Sequence, residues 1–344
     1  MEINNVDICC GLAWGDEAKG KIVSELLRTK NYDWVCRWSG GSNAGHTIYI
    51  DNKKYVTHLI PAGVFYNIKC YIGPDCYINY QDFIEEINYL KNNGFNTDLI
   101  FISPNAHIIT QEHIDEDLAK YKTKQGSTGK GIAPCAKDKF ARIGKLVKDD
   151  DDFITNYSNN ILTPELNGDI LCEGAQGFWL DINYGNYPYV TSSNCLPYSA
   201  CSLGFPPKKI RDIYGAAKIY DTRVGVDPLF DENSISNSDC DIIEQIIDLG
   251  EEYGSTTKRR RKVFWLNLDK LITAINISGT NIIVISKIDI LEQVNFYKLQ
   301  YTDGDITYDT IEDMKNDISN ILYRKCKLLE KVIYSNNPKS IEEL

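Results

Sequence analysis

The sequence predicts an α/β fold with a large, mainly parallel central sheet flanked by helices. Three observations predict it. Strand-like and helix-like segments alternate through the first half of the 344 residues, as crossover helices between parallel strands require. Apolar runs end repeatedly in glycine-rich turns, and the first turn leads straight into a segment with helical spacing. No linker-like stretch divides the chain, so residues 1–344 are expected to form a single domain with insertions.

The first strand is read from Val6-Asp7-Ile8-Cys9-Cys10, a short apolar run suited to burial. Ile22, Val23, Leu26 and Leu27 follow at the spacing of a helix. Between them lies G-L-A-W-G-D-E-A-K-G-K, from Gly11 to Lys21. Strand, glycine-rich turn and helix together aim backbone N–H groups at a phosphate. Gly15 to Lys21 fits G-x-x-x-x-G-K, which makes the nucleotide-binding core P-loop-like, yet Ile22 stands where a P-loop carries the Ser or Thr that holds magnesium. Asp16 sets a carboxylate inside the loop instead. An acid in a phosphate loop points to metal binding and proton removal at one place.

The second glycine-rich segment runs from Arg37 to Thr47 and holds His46, one of only four histidines. A loop histidine is more often structural or merely exposed; among small residues that admit a ligand closely, His46 becomes a candidate. Cys70 to Gly73 reads as a strand, Phe83 to Leu90 as a helix, and Leu99 to Ile102 as a strand. Gly126-Ser127-Thr128-Gly129-Lys130-Gly131 is a phosphate-binding turn or a plain one. The four aspartates 149–152 read as an exposed turn or helix start. Ile170 to Gly174 is another strand running into a glycine turn, Glu173 to Gly177, which leads to Tyr187–Asn194. Four such loops would converge at the carboxyl edge of a parallel sheet, where ligands of this fold class bind. The acidic segment Asp227 to Asp241 reads as a mobile loop. Lys258-Arg259-Arg260-Arg261-Lys262 follows Gly254-Ser255-Thr256-Thr257 and precedes the apolar Val263-Phe264-Trp265-Leu266. Charge runs are usually solvated faces; this one, anchored to an apolar segment, suits small anions better. Ile282 to Ser286 is the last strand read, ending at Lys287-Ile288-Asp289.

Composition narrows the function classes. A formal charge of −11 argues against nucleic-acid binding, which needs positive surface potential. Apolar runs such as 281–285 are far too short to span a bilayer, and residues 1–15 lack the features of a signal peptide. Eleven cysteines without a C-x-x-C pair read as reduced thiols, so a cytoplasmic protein is expected.

Ten segments, in one order, resemble the adenylosuccinate synthetase family. They are W-G-D-E-A-K-G-K at 14–21, G-G-S-N-A-G-H-T at 40–47, H-L-I-P-A-G-V at 58–64, S-T-G-K-G-I-A-P at 127–134 and D-K-F-A-R at 138–142. E-G-A-Q-G at 173–177, Y-P-Y-V-T-S-S-N at 187–194, T-R-V-G at 222–225, T-T-K-R-R-R at 256–261 and S-K-I-D at 286–289 complete the set. The resemblance implies a ligase that joins IMP to L-aspartate at the expense of GTP, with Mg2+. Its two steps are phosphorylation of the purine O6, after loss of the N1 proton, and displacement of that phosphate by the aspartate amine.

Carried over by position, the resemblance implies Asp16 as general base and His46 as stabiliser of the transferring phosphoryl group, with Lys19 and Gln176 completing the catalytic group. Asn43, Thr128, Arg142, Gln176 and Thr191 would hold the purine nucleotide, Arg142 from the neighbouring subunit of a homodimer. Gly15, Glu17, Lys19, Gly20, Lys21, Gly45, His46 and Thr47 would cradle the triphosphate, and Lys287 and Asp289 would read its base. Thr256, Thr257, Arg259 and Arg261 would clamp aspartate, whose two carboxylates suit an arginine fork. Asp16 and Gly45 would meet the metal.

The chain also departs from the family's pattern. Its short length resembles the compact archaeal and bacteriophage branch. Val226-Asp227-Pro228-Leu229-Phe230 replaces a G-x-G-P-F-P-like stretch, Lys258 stands where the aspartate loop has Gly, and Ser335-Asn336-Asn337-Pro338 resembles the guanine-holding Gly-Pro segment only loosely. Phage relatives that act on dGMP with ATP often carry Ser in place of the loop acid, so Asp16 favours IMP. A catalytically inactive nucleotide-binding regulator would have lost Asp16, His46 or the arginine loop; all are present.

Overall fold

The computed structural model describes residues 2–230, 235–236, 238–254, 259–342 and 344. Eight parallel strands form the central sheet, in the order Lys331–Ser335, Ile282–Ser286, Ile210–Lys218, Ile3–Gly11, Gly168–Glu173, Trp34–Arg37, Lys69–Ile72 and Ile100–Ile102. The chain begins in the middle of this sheet and builds outward to Ile100–Ile102. It then returns to insert Gly168–Glu173 beside the first strand, and completes the other edge with its last three sheet strands. The winding therefore reverses next to Ile3–Gly11, and a crevice at that reversal is where ligands enter such sheets.

Alternation along the strands explains the core. Cys9, Val35, Leu171 and Val284 join one apolar cluster with the helix residues Ile22, Val23 and Leu26. Their chain neighbours face the other side: Cys10, Ala217, Ile283 and Ile285 in one cluster, Ile8, Trp34, Cys36, Ile170 and Cys172 in another. Both faces are covered, so the strands read as continuous apolar runs, as buried parallel strands do.

The strands and the helix expected in the first half are present, with Phe83–Leu90 lying inside the helix Tyr80–Asn92. Asp150 caps the helix Asp151–Tyr157, its side chain accepting from the Phe153 N–H at 3.1 Å. The expected mobile loop at 227–241 is corrected at its described ends. Asp227 and Asp239 are buried, and Asp239 accepts from Trp265 Nε1 and Lys298 Nζ, each at 2.8 Å. All eleven cysteines are free thiols. Among the described residues, no helix is long and apolar enough to cross a membrane.

A second sheet, Tyr220–Arg223, Lys262–Asn267, Tyr297–Tyr301 and Gly304–Tyr308, was not announced by any local pattern. Tyr220–Arg223 leaves the central strand almost at once and pairs antiparallel with Lys262–Asn267, Arg223 lying opposite Lys262. That pairing brings the cationic run to the carboxyl end of the sheet.

Candidate active site

The carboxyl ends of the central strands open on a cleft of about 740 Å³. The first loop shapes its floor. Gly15, Asp16 and Ala18 all adopt left-handed backbone, with φ of 88°, 59° and 68°. Glycine does so freely, whereas Asp16 and Ala18 must be held there by their surroundings. Glu17 supplies the restraint: its carboxylate accepts from Ala13 N at 3.2 Å, Gly15 N at 2.7 Å and Lys19 Nζ at 2.7 Å. Glu17, expected among the residues that cradle the triphosphate, organises the loop; it is 1% exposed and does not line the cleft, whereas Asp16 does.

No side chain caps the helix Lys19–Thr29, whose N-cap is Ala18, so its positive end is presented at the cleft. Lys19 lies beside it, bonded to Glu17 and to the Gln176 carbonyl. Burial alone would depress this ammonium, but Glu17 and then Asp16 outweigh it and hold the pKa above the ordinary value. Gly20 is glycine for a packing reason: a Cβ there would stand 2.8 Å from the Thr47 carbonyl oxygen. Segment Gly45–Thr47 thus rests directly on the start of the helix. Lys21 donates to Ser335 Oγ at 2.8 Å and to the Asn337 carbonyl at 3.0 Å. Burial pushes its ammonium down to about 8, with Asp289 opposing and Lys287 adding.

His46 opens the strand His46–Ile50, its Nδ1 bonded to Glu173 Oε1. Glu173 is fully buried at the end of its strand; its other oxygen accepts from the Ala62 N–H at 2.8 Å, and Arg37 lies 3.8 Å away. Burial would raise this carboxyl, but His46, Arg37 and the Ala62 N–H together keep it below the ordinary range. The imidazole is thereby oriented, with Nε2 left for a ligand. Gln176 takes left-handed backbone, φ 53°, and both shielded polar atoms of its half-buried side chain lack a protein partner where it lines the cleft. An amide in that position can donate to and accept from a heterocycle.

Arg261 closes the opposite wall. Its Nη2 and Nε donate to Asp16 Oδ2 at 2.7 and 3.0 Å, and its Nη1 donates to Glu252 Oε2 at 2.5 Å. Burial raises the Asp16 carboxyl, yet Arg261 and then Lys218 hold it below the usual carboxylate range. Asp16 is thus ionised and latched to an arginine expected to face only aspartate.

The cleft brings together most of the residues singled out from sequence: Gly15, Asp16, Lys19, Gly20, Lys21, Asn43, Gly45, His46, Thr47, Thr128, Gln176, Thr191, Arg259, Arg261 and Lys287. Asp289 does not line it, though its charge is felt at Lys21. Arg142 is exposed outside the cleft, left-handed at φ 64°, between Phe140 and Ile143, which are 75% and 73% exposed. Thr256, Thr257 and Lys258 lie outside the described residues. Sequence reasoning missed Lys218, Arg223 and Glu252. Lys218 and Arg223 line the cleft, and Arg223 ties Tyr189 O, at 2.7 Å, to the departing segment through Asp227, at 3.5 Å. The available signals were the T-R-V-G segment at 222–225, which held Arg223 without a role, and a lysine directly ending the buried strand Ile210–Lys218.

Among the described residues no group of three or more His, Cys, Asp or Glu could hold a metal ion. One carboxylate, Asp16, and one backbone carbonyl, Gly45, are hard oxygen donors that fit a cation completing its shell with substrate phosphates and water, the habit of Mg2+.

The family model described as adenylosuccinate synthetase matches residues 8–161 and 145–327. The adenylosuccinate synthetase of Borrelia duttonii (strain Ly) is 36% identical over 373 residues, covering 94% of this chain and 83% of the relative. That of Malacoplasma penetrans (strain HF-2) is 36% identical over 346 residues, covering 86% and 80%. Among solved structures, the fully ligated adenylosuccinate synthetase of Plasmodium falciparum superposes with a TM-score of 0.82 at 27% identity, covering 98% of each chain. The cyanophage S-2L succinoaminodeoxyadenylate synthetase, bound to dGMP and dATP, superposes with a TM-score of 0.74 at 21% identity, covering 98% of this chain and 94% of that one. The latter likeness speaks to the fold alone.

Proposed function

The chain belongs to the adenylosuccinate synthetase family, and from that premise we propose how its cleft forms the carbon–nitrogen bond. The enzyme is a ligase of purine nucleotide biosynthesis. It condenses a 6-oxopurine nucleotide, IMP, with L-aspartate, driven by conversion of GTP to GDP and phosphate. The observation that carries the site reading is the acid within the phosphate turn, Asp16, held ionised at the mouth of an uncapped helix.

In the first step Asp16 accepts the N1 proton, so that the purine O6 attacks the γ-phosphorus and the bond to the β-phosphate oxygen breaks. Lys19, Lys21, the helix start and the backbone of Gly45–Thr47 neutralise the polyphosphate, and His46, backed by Glu173, faces the transferring group. Mg2+, held by Asp16 and Gly45, would supply charge neutralisation between the phosphates. In the second step the aspartate amine attacks C6 and phosphate leaves. Arg259 and Arg261 bind the aspartate carboxylates, Arg261 exchanging the Asp16 carboxylate for the substrate's. Asn43, Thr128, Gln176 and Thr191 hold the purine nucleotide, and Lys287 and Asp289 read the triphosphate base. Arg142, exposed between two apolar side chains, reaches the nucleotide of a second subunit in a homodimer. Free thiols throughout support a cytoplasmic location.

The test crosses IMP, GMP and dGMP with GTP and ATP, in the presence of aspartate and Mg2+, and follows phosphate release and product mass. Adenylosuccinate formed fastest from IMP and GTP is the expected result. Preference for dGMP with ATP would instead make this a 2-aminoadenylosuccinate synthetase.

A further inference from the structure

Glu252 follows the helix Cys240–Gly250 and is fully buried. Its Oε2 accepts from Lys218 Nζ at 2.8 Å and from Arg261 Nη1 at 2.5 Å. Its Oε1 accepts from the Tyr220 hydroxyl at 2.8 Å, with Lys287 Nζ 3.8 Å away. The backbone joins in, since Arg261 N donates to the Glu252 carbonyl at 2.8 Å. Lys287 is further fixed by donating to the Gly250 carbonyl at 2.7 Å, two residues before Glu252. One acid thus faces three cations from three separate segments, and all three cations line the cleft.

We propose that Glu252 is a positioning residue that couples the aspartate clamp to the triphosphate site. The identity of those two subsites rests on the function proposed above; the hub itself rests on the contacts. Arg261 reaches Asp16 with the edge that Glu252 does not use, and Lys287 begins the segment assigned to the triphosphate base. Removing the central anion leaves three cations confined together, so Arg261 and Lys287 are driven from their present places. Burial raises the Glu252 carboxyl, but Lys218, Arg261 and Lys287 bring it down to about 2. A scaffold ion pair facing away from the cleft would not have this arrangement, because nothing it held would touch substrate.

Glu252→Gln tests the idea: it keeps the shape and removes the charge. Steady-state kinetics on the full chain with IMP, GTP, aspartate and Mg2+ should show KM for aspartate raised about tenfold and KM for GTP about threefold, with KM for IMP within about twofold. Glu252→Asp, which keeps the charge at a shorter reach, should show the same split at smaller size, and it decides the matter if the Gln variant fails to fold. Equal changes in all three KM values, or none, would overturn the coupling role. A wild-type protein that turns over no aspartate would overturn the proposed function and this inference together. Turnover by the wild type with no such split in the variants overturns the inference alone.

Discussion

Asp16→Asn separates the loop's shape from its chemistry. The amide keeps the size of the side chain but has no use as a base at neutral pH, so kcat should fall by about 10²–10⁴, the usual worth of general base catalysis. The fold should barely notice. Asp16 Oδ2 receives two bonds from Arg261, at 2.7 and 3.0 Å, and loss of a charged hydrogen-bond partner costs about 1.5–3 kcal/mol when buried. Asp16 is 26% exposed and Arg261 keeps Glu252, so solvent screening reduces this to about 1 kcal/mol. Asparagine also tolerates the left-handed backbone at φ 59° well, which offsets part of that loss. For 344 residues, about 1 kcal/mol is a Tm change of about 1–2 °C. Phosphate release measures kcat, calorimetry measures Tm, and fluorescence titration with a non-hydrolysable GTP analogue measures retained affinity. A kcat within about threefold of wild type would remove Asp16 from the role of base. A Tm loss above about 5 °C would refute the account of the loop's restraint.

Mixing Asp16→Asn with Arg142→Leu should restore part of the activity that neither variant has alone, because one hybrid site regains both residues; heterodimers without recovery would show that each site is self-contained. Gly20→Ala places a Cβ 2.8 Å from the Thr47 carbonyl oxygen, so it should lower stability by about 1–3 kcal/mol and weaken triphosphate binding, and unchanged Tm and affinity would contradict the close packing. Burial pushes the Asp221 carboxyl up to about 7, against the Asn267 N–H and Lys270. A folded pKa above the unfolded value means stability that is full below about pH 4 and lost as pH rises to about 7, so Asp221→Asn should gain on wild type between about pH 4 and about pH 7; melting curves showing a constant difference across that window would refute the assignment.

What could be read from the chain followed how local the determinants are. The phosphate turn, the central strands and the loops at 43–47, 126–131 and 173–177 are contiguous, and glycine spacing plus apolar alternation specify their backbone directly. The loop contacts of Glu17 were not legible because a loop acid reads alike whether it faces a ligand or its own amides. Glu252 stood unnoticed in Glu251-Glu252-Tyr253, which looks solvated, because its partners lie 34, 32 and 9 positions away and meet through the unannounced second sheet. The Asp16–Arg261 pair spans 245 positions and was likewise invisible to spacing.

Lys21 meets Ser335 and Asn337, partners 314 and 316 positions downstream. During translation the phosphate turn emerges with the first few dozen residues, long before the strand that will seat its lysine. A ribosome-bound chain therefore carries the nucleotide motif while its ammonium group has no mooring. Full seating of that lysine waits on the docking of the strand Lys331–Ser335 at the far edge of the sheet.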